Sequence, residues 1–275
     1  MSPPSAPPQP SGRFVRDTIP TLVRVGLAHM AAYRAEIFIW ILTTTLPLVM
    51  FALWSSLAAE GPLGRFDGPT LSAYFLATLV VRQLASSWVV WELNELVRSG
   101  GLSPLLVRPI HPLWPLAGEN LGALPIRVLV LVPVTIAWLA LEPGTGARFA
   151  LGALPLAAYA AAMSLLLTFL VQAVLGLMAL YTQQSLGLQD AWFAAWALLS
   201  GYLIPLELVP GLADVARWLP FRAVGGVAVE LALGLLDGRA AAIALGLQLA
   251  WIAAFAALLT WLWPRAMRRY EAHGQ

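Results

Sequence analysis

The sequence predicts an all-α integral membrane protein, and three observations carry that expectation. Of its 275 residues, 60% are apolar and 11% charged, against about 45–50% and about 25% in soluble domains. Apolar runs recur that are long enough to cross about 30 Å of hydrocarbon at about 1.5 Å per helical residue. No polar stretch between them is long enough for a soluble domain, which excludes a soluble enzyme. Every one of the 16 basic residues is Arg, and a net charge of +2 is too small to point to nucleic acid. There is no cysteine, so disulfides and thiolate chemistry are absent, and His29, His111 and His273 are too scattered for a metal cluster.

Taken in order, Met1 to Gly12 is rich in Pro and Ser and reads as a disordered cytoplasmic tail. Residues 13–36 interleave Phe14, Leu22, Val25, Leu27 and Met30 with Arg13, Arg16, Arg24 and Arg34. That mixture predicts either an amphipathic helix lying in the interface or an ordinary basic flank to the first span. Residues 37–264 follow as the membrane domain. Six windows fit transmembrane helices: Ile37 to Ala58, Leu71 to Trp91, Leu116 to Leu141, Phe149 to Tyr181, Ala191 to Val209, and Ala240 to Trp263. Pro210 to Arg239 is too apolar for an exposed loop and too interrupted, by Pro220 and Gly225-Gly226, for a clean span. It predicts two short re-entrant helices, with a seventh span as the alternative.

The arginines set the orientation. With the N terminus inside, nine fall on cytoplasmic segments, five outside and two within spans, which favours cytoplasmic termini and a cytoplasmic tail over 265–275.

Chemistry-bearing motifs are missing. A phosphate-binding G-x-x-x-x-G-K-[ST] loop cannot occur without Lys, and no H-E-x-x-H, G-x-S-x-G or paired carboxylates occur. The expectation is no catalytic residue, no metal site and no cofactor on this chain. Any energy source must then lie on a partner.

The segment after the second span is the most informative. Glu92, Glu95 and Arg98 lie on a helix that Gly100-Gly101 would end, and Leu105-Leu106-Val107-Arg108-Pro109-Ile110 follows, with Pro112 and Pro115 beyond. This is a stiff cytoplasmic elbow with a cation at its tip, suited to docking a partner protein.

With that loop, six spans, an amphipathic N-terminal segment and a re-entrant pair before the last span, the chain resembles the permease subunit of an ABC-2-type transporter. It is most similar to small exporter permeases carrying a Leu-Leu-x-Arg-Pro loop, over about Arg13 to Arg269. The resemblance implies two cytoplasmic ABC ATPase subunits, which carry ATP and Mg, and a second permease chain, identical or homologous, in a bacterial cytoplasmic membrane. It implies that Arg24, Arg34, Glu92, Glu95, Arg98, Arg108 and Pro109 couple the permease to the ATPases. Pro210, Pro220, Gly225 and Gly226 would belong to the outer re-entrant gate. Export of an amphiphilic, drug- or lipid-like substrate is the function it suggests.

Arg82 and Arg127 fall inside spans, where a charge costs at least about 2.5–3.5 kcal/mol unless paired or hydrated. Arg82, with Gln83 near it, reads equally as a pathway residue or a structural one, and Arg127 reads as structural. Many of the 12 Trp lie near span ends, as an interfacial belt requires. Tyr74, Trp88, Trp192 and Trp196 cluster on the second and fifth spans, where they could instead line an amphiphile-accepting cavity. Two rival functions stay open: an ion-coupled carrier, which should show inverted repeats, and a membrane enzyme acting on lipid-linked substrates, which should show clustered acidic or His residues.

Overall fold

The computed structural model describes residues 20, 21, 24, 45–182 and 185–273. The expected N-terminal tail, most of the interfacial segment including Arg34, and residues 37–44 of the first expected span lie outside the described residues. Pro20, Thr21 and Arg24 are helical and exposed.

Helices account for the fold, and the sole bridge of β type among the described residues joins Leu63 and Phe66. In chain order they are α1 (Thr45–Ala58), α2 (Gly68–Leu84), α3 (Val89–Arg98), α4 (Leu102–Leu106), α5 (Leu113–Gly122) and α6 (Leu124–Leu141). Then come α7 (Leu154–Leu177), α8 (Ser185–Leu199), α9 (Pro210–Ala216), α10 (Pro220–Ala223), α11 (Gly226–Ala232) and α12 (Gly238–His273). Local chemistry sets several starts. The Asp67 carboxylate accepts from the Thr70 amide at 2.9 Å and Pro69 occupies the first turn of α2, while the Asp237 carboxylate accepts from the Ala240 amide at 2.7 Å at the start of α12. The Thr70 hydroxyl and amide, with Arg148 also near, hold the Asp67 carboxyl below its ordinary range against the opposing effect of partial burial.

Four helical stretches are long and apolar enough to cross a membrane: Gly68–Arg98, Leu113–Leu141, Leu151–Leu180 and Gly238–Tyr270. They overlay the second, third, fourth and sixth expected windows. The first window is represented by the apolar α1, whose 14 residues begin where continuous description begins. The fifth needs correction: α8 starts at Ser185 and stops at Leu199 after 15 residues, about 22 Å of helix against about 30 Å of hydrocarbon. Gly201, at φ +88°, turns the chain there, and Pro205 follows before helix resumes. From Pro210 onward the chain forms α9 and a second helical stretch that breaks at Val224-Gly225 into α10 and α11.

The helix α7 is the post around which the others stand, contacting α2, α3, α8, α11 and α12. Its residues enter all three large apolar clusters: Ala157 and Ala160 with α2 and α11, Leu170 to Leu177 with α3 and α12, and Leu167 and Val171 with α8 and α10. Lipid removes the hydrophobic drive for helix association, so close van der Waals approach of small residues takes its place. Gly176 shows how close: a Cβ there would lie 2.8 Å from the Leu93 Cβ, so α3 lies directly on the α7 backbone.

Buried polar groups lock α10 onto this post. The Gln248 side-chain amide donates to Ala160 O at 3.0 Å, Ala223 O at 2.9 Å and Ser164 Oγ at 3.2 Å. Arg222 and Glu230 form a two-pronged ion pair with side chains only 13% and 12% exposed.

Candidate functional site

The second membrane-crossing helix is broken. Between α2 and α3 the residues Ala85, Ser86, Ser87 and Trp88 leave the helical path, exposing backbone groups that hydrocarbon cannot satisfy. Arg127 of α6 answers this: only 2% exposed, it donates from Nη1 to Ser86 O at 2.7 Å. The Ser86 hydroxyl bonds back to Gln83 O at 3.0 Å. A charge within a span is thus held by a break in the neighbouring one, a structural role.

The break opens a cavity of about 270 Å³ bounded by α2, α3, α7, α8, residues 200–202 and residues 224–229. All six residues singled out from the sequence for a pathway, Tyr74, Arg82, Gln83, Trp88, Trp192 and Trp196, line it. Their roles differ. The Tyr74 hydroxyl donates to Gly201 O at 2.7 Å, and a Cβ on Gly201 would lie 2.4 Å from that hydroxyl. Trp196 donates to Val224 O at 2.9 Å. Tyr74 therefore ties α2 to the turn after α8, and Trp196 ties α8 to the break between α10 and α11. The ring of Trp192 lies 4.7 Å from that of Phe221, and the ring of Trp88 lies 5.1 Å from that of Trp91.

Arg82 is half-buried and faces protein. Its guanidinium carbon sits 5.0 Å from the Trp196 ring centroid and 5.7 Å from the Phe193 centroid, and the Tyr202 hydroxyl lies nearby. Two aromatic faces and a hydroxyl replace lost hydration.

Further lining residues are not singled out by the sequence: Gln172, Gln189, Asp190, Phe193, Tyr202 and Trp91. Gln172 carries a signal, as a lone amide within the apolar run of α7. Trp138 is no interfacial residue: 5% exposed, it donates to Ser72 Oγ at 2.8 Å in the core.

Two of the four proposed gate residues meet the cavity. Gly225 (φ +123°) and Gly226 line it, and a Cβ on Gly226 would lie 2.3 Å from Ser200 O. Pro210 and Pro220 start α9 and α10.

The elbow residues form a separate surface beyond the far end of α3. Glu95, Arg98, Arg108 and Pro109 are exposed and Glu92 is half-buried. Val107, at 86% exposed, and Leu106 make an apolar tip beside Arg108. The last helix braces this elbow: the Tyr270 hydroxyl donates to Gly100 O at 3.3 Å and bonds Ser103 Oγ at 2.8 Å, and the His111 ring lies 4.2 Å from Trp263. Burial lowers the affinity of the His111 imidazole for its proton.

Among the described residues no group of His, Asp and Glu has the arrangement of a metal site. A helical membrane chain with a polar, aromatic-walled cavity at a helix break and an exposed elbow fits the transporter class. Residues 69–274 match the family described as ABC-2 family transporter protein, and the chain belongs to that family. No curated relative and no solved structure matches the chain.

Proposed function

We propose that this chain is the permease subunit of an ATP-driven exporter in a bacterial cytoplasmic membrane, with both termini cytoplasmic, working as one of two permeases bound to two cytoplasmic ATPases that hold ATP and Mg. The single observation that carries this reading is α3, which joins the elbow to the cavity. Trp88 and Trp91 line the cavity at one end of this helix, while Arg98 is exposed at the other, about 15 Å away at about 1.5 Å per residue. The close approach of α3 to the α7 backbone at Gly176 couples these two helices. ATPase closure at Glu95, Arg98, Arg108 and Pro109 would tilt α3 about the Ala85–Trp88 break and reshape the cavity. A ligand bound more tightly in one shape than the other would bias that equilibrium. Arg24, described as exposed and helical, belongs to the same proposed coupling surface. The re-entrant residues around Gly225 would close the opposite end of the path.

The test is purification from the native host in mild detergent, identification of co-purifying chains, and an ATPase assay. A soluble subunit with a phosphate-binding loop is expected, and Arg108→Glu should lower transport-coupled hydrolysis at least about tenfold while insertion stays normal, the change expected when a docking charge is reversed. A lone chain without nucleotide hydrolysis, or full coupling in the variant, would count against the reading. Replacing Trp88 and Trp192 with Leu tests the path itself, since Tyr74 and Trp196 also hold the fold together.

A further inference from the structure

We propose that the cavity binds the uncharged, hydrogen-bond-donating head group of an amphiphile, and that Gln172 and Gln189 select it. The inference rests on the permease reading, because it names the class of molecule that the proposed path admits.

Three polar atoms of the lining carry the argument. Gln172 Oε1, Gln189 Oε1 and Trp88 Nε1 are buried, yet none has a hydrogen-bond partner among the described residues. Gln172 and Gln189 are themselves only 7% and 5% exposed. An unpartnered buried acceptor is costly, and native structures reserve such groups for water or ligand. Four other polar lining groups are engaged: Tyr74 with Gly201, Thr168 with Ser164 O at 2.7 Å, Ser86 with Gln83, and Ser200 Oγ with the Tyr202 amide at 3.2 Å. Openings for new hydrogen bonds are therefore concentrated on one side, between α3, α7 and α8.

Those openings fix the charge class. A glutamine amide turns either its carbonyl or its NH2 to a ligand, so a head that both donates and accepts suits either orientation, whereas a quaternary ammonium does neither and a phosphate dianion only accepts. Arg82 sets a positive charge in the cavity and already covers the faces of Phe193 and Trp196, so a second cation is repelled and denied those rings. Asp190 at the lining is exposed and carries the opposite charge, against an anion. A neutral hydroxyl or amide head gives donors to the two glutamines and an acceptor to Trp88 Nε1. At about 270 Å³ the cavity is just below the range of drug-sized sites, about 300–1,000 Å³, so it takes the head group and leaves the apolar body outside.

The experiment uses the full chain in phospholipid nanodiscs and four radiolabelled probes with one six-carbon tail: hexyl glucoside, hexanamide, hexyl phosphate and hexyltrimethylammonium. Saturable binding of the glucoside or the amide is expected, and whichever binds tighter identifies a hydroxyl or an amide head. The phosphate and the ammonium should bind at least about tenfold more weakly, the loss expected when two neutral hydrogen bonds go unmade. The double variant Gln172→Leu/Gln189→Leu should lose the neutral probe by a similar factor with an unchanged elution profile. Preferential binding of the ammonium or the phosphate would overturn the proposal. So would absence of saturable binding of all four to the wild-type chain, leaving a merely hydrated cavity. The wild-type ranking needs no variant to fold. Failure of the permease reading shows up separately, as neutral-probe binding by a chain with no associated ATPase.

Discussion

The amides of Gln248 and Gln172 are both buried in long apolar helices, at 0% and 7% exposed, yet their surroundings differ. Gln248 directs its NH2 group at Ala160 O, Ala223 O and Ser164 Oγ while its Oε1 has no partner among the described residues, and beside it Arg222 and Glu230 pair with each other. Gln172, Gln189 and Trp88 line a cavity, and one buried polar atom of each has no hydrogen-bond partner among the described residues. The first cluster stitches α10 to α7 and α12, so its polar groups act on the fold. The second leaves its polar groups available. A buried polar residue in a membrane helix thus has two meanings, and the count of its partners distinguishes them.

The largest effect should come from opening the closed cluster. Glu230→Ala strands the Arg222 guanidinium, and loss of one partner of a buried pair costs about 3–5 kcal/mol. The expected outcome is a sharp fall in the folded fraction recovered in detergent, and normal recovery would show that the pair is solvated. Next, Gln248→Leu removes the donor from buried carbonyls and should destabilise by about 1–3 kcal/mol, read as a lowered thermal midpoint. Asp67→Ala, which removes the α2 cap, should cost about 1 kcal/mol without touching the cavity, and so calibrates the series. Against these, Gln172→Leu should shift stability by less than about 0.5 kcal/mol, because no protein hydrogen bond is lost from its oxygen. A drop as large as that of Gln248→Leu would erase the distinction between the clusters.

The smallest effect is on pH. The imidazole of His111 binds its proton less readily in the folded chain than the ordinary value near about 6.5. Above that pH both folded and unfolded states hold it neutral, and its contact with Trp263 is at full strength. As pH falls below that value the unfolded state takes up the proton first, so the contribution declines. His111→Phe should flatten the acid limb of elbow stability, measured by proteolysis between α3 and α5. An unchanged limb would place the titration elsewhere.

Much of this arrangement was legible in advance. The all-helical class, the membrane location and four of the expected crossings follow from run length and composition, which are local properties of the chain. Tyr74, Arg82, Gln83, Trp88, Trp192 and Trp196 stood out as polar or aromatic groups in apolar windows, and they line one cavity. The Arg127 guanidinium was expected to be structural, and it bonds Ser86 O. What they do there was not legible, since the partner of Tyr74 is Gly201 and that of Trp196 is Val224.

The sequence by itself determined that this chain lives in a membrane as a helical protein, because hydrocarbon thickness and hydropathy act on each segment independently. Only the tertiary structure decided that the helix through Gly68–Arg98 breaks at Ala85–Trp88, that α8 stops at Leu199, and that Gln172 and Gln189 line one cavity. A backbone can leave the helix within hydrocarbon only where distant groups take up its freed carbonyls. Those groups, Arg127 foremost, are brought there by packing around α7, which no local window contains.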